Sequence, residues 1–463
     1  MIQLAPFILS LIIILINIFL CVTNISKKAS INLNIFFWII TLASFFIVRD
    51  SFDDTGLPNL LVGFISLDKF SFGLCVILCV LTLIFLFSNK FSDDERYYKQ
   101  EFMVLSNLAT FGLMAMSLST ELILTLIFLE VASIALYALI AMDSSQKSVE
   151  SAFKYFVLSS FMGAFYLLGT AFIFGTVGST QYEKIAARLD SSYLALIGTI
   201  LVLSMMFFKI AIFGFYRWSI DVYFGARTNL SGYLASAFKL ASFAILIKFC
   251  FLYQTQNIAF LQNLFAILAI LSMFVGNFLT LKEQNVKKIL ITASIVHSGY
   301  IFINLASVNF EISLYPAFFY LGTYAIVVAF AFAILNAVFK DQNVKICDLG
   351  GLYKTHPLES FALVVASLSF IGFPYTVGFL GKVFIFGSAV TSSATYLAIL
   401  GIANTIISVY YYLKIITSIY FKNSTQKTTY SSLGAKILAV FAIAFIVLEG
   451  SGFMSVVSFL NLF

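Results

Sequence analysis

The sequence predicts an all-α polytopic membrane protein with about fourteen transmembrane helices. Of its 463 residues 61% are hydrophobic and only 10% are charged, and apolar runs recur along the whole chain. A soluble domain carries roughly 25% charged residues, so this chain cannot cover a water-facing surface. One bilayer crossing needs about 20 apolar residues, a length that the chain supplies many times over. We therefore expect one membrane domain, 1–463, with no appended soluble domain.

Apolar runs between charged or turn-rich breaks define the predicted spans. In chain order, spans 1–14 cover residues 5–24, 31–49, 70–89, 101–119, 121–142, 150–177, 193–216, 228–253, 259–281, 286–306, 313–339, 358–388, 394–421 and 433–460. The first run lacks a basic n-region and a small-residue cleavage site, so we interpret it as a helix and not as a cleaved signal.

Lysine and arginine alternate between the loops that join these spans. Loops after odd-numbered spans hold eighteen, among them Lys154 and Lys287. Loops after even-numbered spans hold four, which are Arg49, Lys69, Lys184 and Arg188. Basic loops favour the cytoplasmic side, so both termini are predicted to face away from the cytoplasm. The net charge of +6 then reflects membrane sidedness, and no nucleic-acid partner is expected.

The other five basic residues fall inside predicted spans. They are Lys209, Lys239, Lys248, Lys382 and Lys414, and Glu130 and Glu449 are acidic residues in the same situation. A charge at mid-bilayer costs about 2.5–3.5 kcal/mol, so such residues normally face protein or water and carry function. Glu130, Lys209 and Lys382 lie deepest, which favours a functional interpretation. Lys248, Lys414 and Glu449 lie nearer span ends, where reaching the interface is at least as good an explanation.

Two further candidates have small or hydroxylated neighbours that leave space for water. Lys239 lies in Ala-Ser-Ala-Phe-Lys-Leu-Ala-Ser, and His297 lies in Ala-Ser-Ile-Val-His-Ser-Gly-Tyr. For His297 a proton relay and a hydrogen-bonded core position remain equal alternatives. His356, beside Pro357 in a predicted loop, is interpreted as structural.

Glycine and proline predict interruptions in spans 7 and 12. Gly372-Phe373-Pro374 precedes Lys382, and Gly214, a weaker signal, follows Lys209 by five residues. Proline removes a backbone hydrogen bond and leaves carbonyls free to face a cavity. Interruptions beside buried lysines are therefore expected at Gly214 and Pro374.

Similar spacings between candidate residues suggest an internal repeat. Glu130 and His297 are 167 residues apart, Lys209 and Lys382 are 173 apart, and Lys239 and Lys414 are 175 apart. We predict two five-span repeats, residues 101–253 (spans 4–8) and 259–421 (spans 9–13). Residues 1–100 hold spans 1–3, and 433–460 form span 14. An odd number of spans inverts the second copy, as in many transporters.

Several motifs together resemble the antiporter-like membrane subunits of respiratory complex I, which are related to Mrp antiporters. They are Leu129-Glu130, Tyr137-Ala-Leu-Ile-Ala, Ser148-Val-Glu-Ser-Ala-Phe-Lys-Tyr-Phe, Phe208-Lys209, Trp218, Asp221-Val-Tyr-Phe-Gly-Ala, His297-Ser-Gly-Tyr and Gly372-Phe-Pro-Tyr-Thr-Val-Gly-Phe-Leu-Gly-Lys382. The resemblance covers nearly the whole chain. Lysine at 382, where the M type tends to carry glutamate, favours the subunit N branch of bacterial NADH–quinone oxidoreductase. The long lateral helix of the L type is not expected after residue 463.

The sequence departs from this family's pattern at two places. Gly214-Phe-Tyr-Arg-Trp218 replaces the usual Pro-Phe-His-Xaa-Trp, and Arg227-Thr-Asn replaces Pro-Thr-Pro. Without the proline, the interruption of span 7 depends on Gly214.

The resemblance implies that quinone reduction elsewhere in the complex drives protons through this subunit. The implied proton-translocation residues are Glu130, Lys209, Lys239, Lys382 and His297, with Lys154 and Lys414 as further candidates. It implies no cofactor in this chain, with quinone, flavin and iron–sulfur clusters elsewhere in the complex. It also implies a bacterial inner-membrane location and other membrane subunits, of the K and M types, as neighbours. The five cysteines show no metal-ligand spacing.

Three alternatives remain at this point. A subunit of an Mrp-type cation/proton antiporter and a subunit of a membrane-bound hydrogenase share the same core motifs. A passive membrane scaffold is a different class and predicts that apolar residues could replace Glu130 and Lys209. The cost of burying those charges argues against the scaffold.

Overall fold

A computed structural model shows a protein built almost entirely of helices. It describes residues 2–22, 27–49, 61–90, 100–189, 192–250, 252, 258–307, 314–339, 343–392, 394–423 and 432–452. The helices are α1 (Ala5–Leu20), α2 (Lys27–Val48), α3 (Lys69–Lys90), α4 (Gln100–Leu118), α5 (Leu122–Ala141), α6 (Gln146–Val177), α7 (Tyr182–Arg188), α8 (Tyr193–Ile210), α9 (Arg217–Gly225), α10 (Thr228–Tyr233), α11 (Lys239–Cys250), α12 (Ile258–Lys282), α13 (Val286–Ser307), α14 (Leu314–Val338), α15 (Leu352–Thr355), α16 (Pro357–Ile371), α17 (Val377–Thr391), α18 (Thr395–Phe421) and α19 (Leu433–Gly450). Short 3-10 helices cover Ile2–Leu4 and Ile346–Leu349, and a π-helical segment covers Leu234–Phe238.

These helices confirm the all-α membrane fold class. Within the described part of the chain, twelve helices are long and apolar enough to cross a membrane, and three shorter apolar helices accompany them. The shorter ones are α1, α16 and α17. A count of fourteen spans stays a prediction.

The structure corrects several predicted boundaries. Span 7 was predicted to continue to residue 216, but α8 ends at Ile210, and the predicted loop that follows contains α9. Lys287 and Lys154, counted as loop residues, lie inside α13 and α6. Lys287 contacts carbonyls at the end of α9, and Lys154 pairs with Glu150 one turn earlier on α6, which a hydropathy pattern does not report. The predicted end of span 14 falls outside the described residues.

One compact unit comprises the described residues of 1–210 and 237–258, and so contains α1–α8 and α11. Its helix ends have clear local causes. The Glu121 carboxylate accepts a hydrogen bond from the Leu124 backbone N–H, 2.6 Å away, and so caps the start of α5. Ser145 caps α6 in the same way, and Gly178, in the left-handed region at φ 75°, ends that helix.

The other unit comprises residues 211–236 and 259–460, which include α9, α10 and α12–α19. Its helices α13 and α14 are buried around their whole circumference, as expected for helices that are apolar on every face. Pro357 occupies the first turn of α16, where its missing N–H costs nothing, and Gly372 ends that helix in the left-handed conformation.

Each unit contains the same local pairing. Glu121 pairs with Gln181 in an antiparallel bridge in the first unit, and Asn285 pairs with Lys345 in the second. The two pairs are related by one offset of 164 positions (121 to 285, 181 to 345). The same offset of 164 positions relates two close helix contacts, one between residues 112 and 132 and the other between residues 276 and 296. A β-carbon on Gly112 would meet the Ala132 backbone nitrogen, and one on Gly276 would meet that of Val296. This common offset supports the predicted repeat.

Candidate functional site

The backbone after α8 leaves the helical conformation for six residues. Ala211 has φ 60° and Gly214 has φ 88°, and α9 begins at Arg217. Glycine adopts the left-handed conformation without steric cost, which explains how the chain turns here without the family's proline. The Phe213 N–H donates to the Ser272 hydroxyl, 3.0 Å away, and so finds a partner that the helix no longer supplies.

Lys209 lies in the last turn of α8, immediately before this interruption, and is only 1% exposed. Its ammonium donates to the hydroxyls of Ser133 on α5, at 2.8 Å, and Ser159 on α6, at 2.6 Å. It also lies 5.1 Å from the ring centre of Tyr155 and 5.4 Å from that of Phe238. Two hydroxyls and two aromatic faces therefore replace water around this ammonium.

Glu130 lies near Lys209 but does not form a close ion pair with it. It precedes Ser133 by three residues on α5, and its Oε1 faces Gly163, which follows Ser159 by four residues on α6. Carboxylate and ammonium are thus about one helical turn apart, roughly 6 Å along the helix axis. The buried Oε1 atom has no hydrogen-bond partner. Most buried polar atoms in proteins have a partner, so this oxygen is unusual.

Lys239 is buried at the start of α11. The π-helical segment Leu234–Phe238 comes directly before it, and the ring of Phe238 faces Lys209. π-Helical turns occur mostly as single insertions within helices, frequently at functional sites. The first unit therefore places Glu130, Lys209 and Lys239 in one neighbourhood.

The second interruption separates α16 from α17. Gly372, at φ 86°, and Tyr375, at φ 65°, flank Pro374. Lys382, 4% exposed, lies on α17, and its ammonium donates to the carbonyls of Phe370, at 2.8 Å, and Ile371, at 2.9 Å. These are last-turn carbonyls of α16, where the helix dipole favours a cation.

His297 lies close to the same interruption in an aromatic cluster. Its Nδ1 is 2.6 Å from the Tyr320 hydroxyl and its Nε2 is 3.3 Å from that of Tyr412. Tyr324 stacks on the imidazole at 4.3 Å. Tyr300 contacts both His297 and the Lys382 ammonium. The second unit thus brings His297 and Lys382 together, beside a small cavity that His297 lines.

Comparisons with known proteins identify relatives of this chain. Residues 119–408 match the family described as NADH:quinone oxidoreductase/Mrp antiporter, TM. NADH-quinone oxidoreductase subunit N of Campylobacter fetus is 67% identical over 469 aligned positions, covering all of both chains. The chain belongs to the subunit N family. A subunit N from Trichlorobacter lovleyi is 34% identical, covering 81% of this chain and 78% of its own.

Solved structures share the fold of this subunit N family member. A chain of Thermus thermophilus respiratory complex I superposes with a TM-score of 0.82 at 24% identity, covering 99% of this chain and 98% of that chain. A chain of an archaeal membrane-bound sulfane sulfur reductase gives 0.88 at 19% identity, covering 99% and 96%. A chain of the Mrp complex from a Dietzia species gives 0.82 at 18%, with the same coverage. These likenesses show the antiporter-like fold.

In this family member the partners of the buried lysines were not singled out from sequence. Ser133 and Ser159 look like ordinary small residues of a span, and only their contact with Lys209 distinguishes them. Tyr155 does stand inside the quoted Phe-Lys-Tyr-Phe motif, so the resemblance contained a signal for it. Tyr320 and Tyr412 come from two other helices, and no spacing along the chain relates them to His297.

Lys287 is a buried cation that the loop count concealed. It is 2% exposed, and its ammonium donates to the carbonyls of Phe224, at 3.1 Å, and Ala226. These carbonyls end α9, so Lys287 holds the helix that follows the first interruption at its negative end.

Lys248 is anchored as well. Its ammonium donates to the Ser71 hydroxyl at 2.7 Å and to the Ser117 carbonyl at 2.5 Å, and it lies 3.8 Å from the Asp68 carboxylate. These contacts replace interfacial water, so a structural role accounts for this lysine.

The remaining candidates are Lys154, Lys414, Glu449 and His356. Lys154 is 44% exposed and pairs with Glu150 at 2.7 Å, one turn earlier on α6. Lys414 is half-buried on α18, and Glu449 is buried near the end of α19. His356 is buried before α16, with its Nδ1 2.9 Å from the Thr355 hydroxyl.

Proposed function

We propose that this chain is the proton-translocating N-type membrane subunit of a bacterial NADH–quinone oxidoreductase. The arrangement around Lys209 carries the proposal. A fully buried ammonium rests on two serine hydroxyls, and a carboxylate with an unpartnered oxygen lies about one helical turn away. Such an arrangement suits a charge pair that forms and separates.

The physical basis is the effect of a nearby charge on proton affinity. A carboxylate within about 4–6 Å of an ammonium favours its charged form, and withdrawal of the carboxylate leaves desolvation unopposed. Movement of Glu130 towards and away from Lys209 would therefore load and unload this lysine. Serine hydroxyls can either donate or accept, so they can bind the ammonium and the neutral amine alike.

We propose that the proton continues from Lys209 through Lys239 and His297 to Lys382. Each of these side chains is buried and titratable, and His297 and Lys382 share Tyr300 as a neighbour. Hydroxyls of Tyr320 and Tyr412 contact both nitrogens of His297, which suits an imidazole that gains and loses protons. Lys154 and Lys414 are not needed for this path.

The energy for the movement comes, in this proposal, from quinone reduction in other subunits, which hold the flavin and the iron–sulfur clusters. Among the described residues no group of three or more His, Cys, Asp or Glu could hold a metal ion. K-type and M-type membrane subunits are the proposed neighbours in the bacterial inner membrane. Both termini are proposed to be periplasmic, from the distribution of basic loop residues.

A cation/proton antiporter subunit is the second candidate. The fold match to the Mrp complex chain, with a TM-score of 0.82, favours it. The arrangement of Glu130 and Lys209 suits a complex I subunit and an antiporter subunit alike. The genes beside this one would separate them, because only a complex I operon encodes flavin- and iron–sulfur-binding partners.

The decisive experiment measures proton pumping by the assembled complex in vesicles that carry Lys209→Ala. We expect both the rate of electron transfer and the number of protons pumped per electron to fall while the complex still assembles. Lys184→Ala is the matched control, because Lys184 is an exposed lysine on α7, and it should pump normally. Normal proton uptake per electron in Lys209→Ala would refute the proposal and favour the scaffold.

A further inference from the structure

We propose that Ser119, Glu121, Thr125, Tyr166 and Tyr182, here called the Thr125 cluster, form a second proton path that connects Lys209 to the outer membrane face. This inference rests on the proposed function, since it needs Lys209 to exchange protons. It adds an exit within the first unit, separate from the route through His297 and Lys382. The outer face here is the side with few basic loop residues.

The path begins at a small cavity that Lys209 itself lines. Thr125 and Tyr166 of the cluster line the same cavity, and so does Ser242 of α11. Its other lining residues are apolar, and they are Leu126, Leu129, Met205, Met206 and Ile245. Thr125 precedes Ser133, a partner of the Lys209 ammonium, by eight residues on α5, about 12 Å along the helix. The cavity therefore occupies the interval between the lysine and the outer end of α5.

Beyond the cavity, three hydroxyl groups of the cluster contact one another. The Thr125 hydroxyl is 2.9 Å from the Ser119 hydroxyl and 3.1 Å from that of Tyr182. Tyr166, which lines the cavity beside Thr125, donates its hydroxyl to the Leu122 carbonyl at 3.0 Å. All five members of the cluster are buried. The Thr125 hydroxyl also lies 2.8 Å from the Glu121 carbonyl of its own helix, so its contacts with Ser119 and Tyr182 are additional to the usual bond of a helical threonine.

The cluster ends at Glu121, a buried acid at the outer end of α5, where the Ser119 hydroxyl donates to the Glu121 backbone carbonyl at 3.0 Å. Glu121 begins α5, and its neighbours Thr120 and Gln181 are half-exposed. Burial raises the pKa of Tyr182 to about 12; the hydrogen bond to Thr125 opposes this, and the Glu121 charge adds to it by less. Tyr182 is therefore neutral at physiological pH. It transfers a proton only by accepting one and donating another in the same step. Glu121 is the member of the cluster that carries a negative charge.

Apolar side chains between Lys209 and Thr125 make this exit a gated one. An apolar constriction conducts protons only when water fills it, and the cavity has room for roughly one water molecule. While the ammonium stays on Ser133 and Ser159, the path is interrupted. When the lysine side chain swings towards the cavity, water and the hydroxyls complete it.

The transfer balances without any redox partner. An N–H bond of the Lys209 ammonium breaks, leaving a neutral amine, and the proton forms a new O–H bond on the cavity water. That water passes a proton to Thr125, whose own proton moves to Ser119 or Tyr182 as the hydroxyls rotate. The Glu121 carboxylate takes the last proton and releases it to outside water. Lys209 is then reprotonated from the cytoplasmic side.

Hydroxyl-deleting variants in the assembled complex test this exit. Thr125→Val keeps the shape of the side chain and removes its hydroxyl, and Tyr182→Phe and Glu121→Gln interrupt the path further out. Thr125→Ser restores a hydroxyl. Thr199→Val is the matched control, because Thr199 is a buried threonine of the same unit whose hydroxyl donates to its own helix, to the Ala195 carbonyl at 2.8 Å. The measurements are protons pumped per electron in sealed vesicles and the amount of intact complex, with Lys209→Ala in parallel.

We expect Thr125→Val and Tyr182→Phe to lower protons per electron, though by less than Lys209→Ala does because the route through His297 and Lys382 stays open, with Thr125→Ser and Thr199→Val near wild type. Loss of pumping in Lys209→Ala but normal pumping in Thr125→Val and Tyr182→Phe would overturn the exit and leave the proposed function standing. An equal loss in Thr199→Val would assign the effect to packing and also overturn it. Normal pumping in Lys209→Ala would refute the proposed function itself. Should Thr125→Val fail to assemble, Tyr182→Phe and Glu121→Gln decide the question.

Discussion

Lys209 and Lys382 are both buried lysines beside a helix interruption, yet their ammonium groups have different partners. Lys209 donates to two serine hydroxyls, whereas Lys382 donates to two backbone carbonyls at the end of α16. A carbonyl only accepts hydrogen bonds, so it stabilises the ammonium and offers nothing to the lone pair of a neutral amine. Under the proposed function, Lys209 switches between protonation states, whereas the two carbonyls beside Lys382 stabilise its ammonium form.

The two lysines also occupy different positions relative to the interruptions. Lys209 belongs to the helix before the break, and Lys382 to the helix after it. They are 173 positions apart, whereas the paired bridges and close helix contacts repeat at 164. At that offset Ser133 corresponds to His297, and Glu130 corresponds to Ser294. The two halves thus use equivalent helix positions for different chemistry.

The largest expected effect comes from arginine substitutions at the two lysines. Lys209→Arg should lower pumping by about 10²-fold or more, the usual contribution of a positioned acid–base group, because arginine does not release its proton. Lys382→Arg should lower it less, since a guanidinium can also donate to two carbonyls. Pumping rates in vesicles with equal amounts of intact complex measure this. Equal losses of pumping in Lys209→Arg and Lys382→Arg would contradict the proposed difference between the two lysines.

Removing the hydroxyls around Lys209 should have an intermediate effect. An unsatisfied buried group costs about 1–3 kcal/mol, and 1.36 kcal/mol corresponds to tenfold in rate. Ser133→Ala and Ser159→Ala should therefore each lower pumping roughly tenfold. Ser204→Ala is the control, since that hydroxyl donates to its own helix, to the Leu201 carbonyl at 2.6 Å. An unchanged rate in the double alanine variant would show that the hydroxyls do not tune Lys209.

Glycine substitutions at the two interruptions sharpen the comparison further. Gly372 and Gly214 both have positive φ, so alanine should strain the backbone by about 1–2 kcal/mol at either position. At Gly372 a β-carbon would also lie 3.1 Å from the Lys382 side chain, whereas Gly214 has open space. Gly372→Ala should therefore lower the thermal midpoint of the complex, and its pumping, more than Gly214→Ala. Gly387→Ala, with open space in a helix interior, should leave both unchanged or slightly improved. The opposite order would contradict this account.

The smallest effect is expected at Lys248, a third buried lysine, which has a carboxylate partner. Burial raises the pKa of Asp68, but the Lys248 ammonium and hydrogen bonds from Ser71 and Ser66 outweigh it, so the net shift is downward. A lowered pKa stabilises the folded state above the ordinary aspartate value of about 3.9. That contribution is lost as pH falls through the folded-state pKa.

Asp68→Asn should accordingly lower the thermal midpoint slightly at pH 7, and this difference should shrink below about pH 4. The Asp68 side chain is 42% exposed, so solvent screening keeps the effect at no more than about 1 kcal/mol. Pumping should not change. A large pumping defect would move Lys248 from a structural to a functional role.

Much of the fold could be predicted because lipid imposes simple rules. The lengths of the apolar runs predict the spans, and Gly372-Phe373-Pro374 predicts an interruption, since both depend on local properties of the chain. The depth of Glu130, Lys209 and Lys382 follows from their positions within apolar runs. Where the signal was weaker the boundaries were wrong, as with α9, because a short helix after an interruption has no hydropathy signature.

The partners of the buried charges could not be predicted. Lys287 was counted as a loop residue, because a lysine near a span end looks the same whether it faces water or the carbonyls at the end of α9. The candidate spacings of 167–175 were sought between functional residues, whereas the structural offset is carried by backbone pairing and by small residues at helix contacts. The candidate functional residues and the backbone contacts are related by different spacings, so the spacing of charged residues was a poor guide to the offset between the two halves.

The sequence by itself determined that this chain lies in a membrane, which side its basic loops favour, where span 12 breaks, and which charges lie too deep to be accidental. These follow from composition and from order along the chain, which act residue by residue. Only the tertiary structure decided that serine hydroxyls hold Lys209, that carbonyls hold Lys382, and that Thr125 lies on the same cavity as Lys209. Those contacts join residues that are distant along the chain, and helix packing alone brings them within hydrogen-bonding distance.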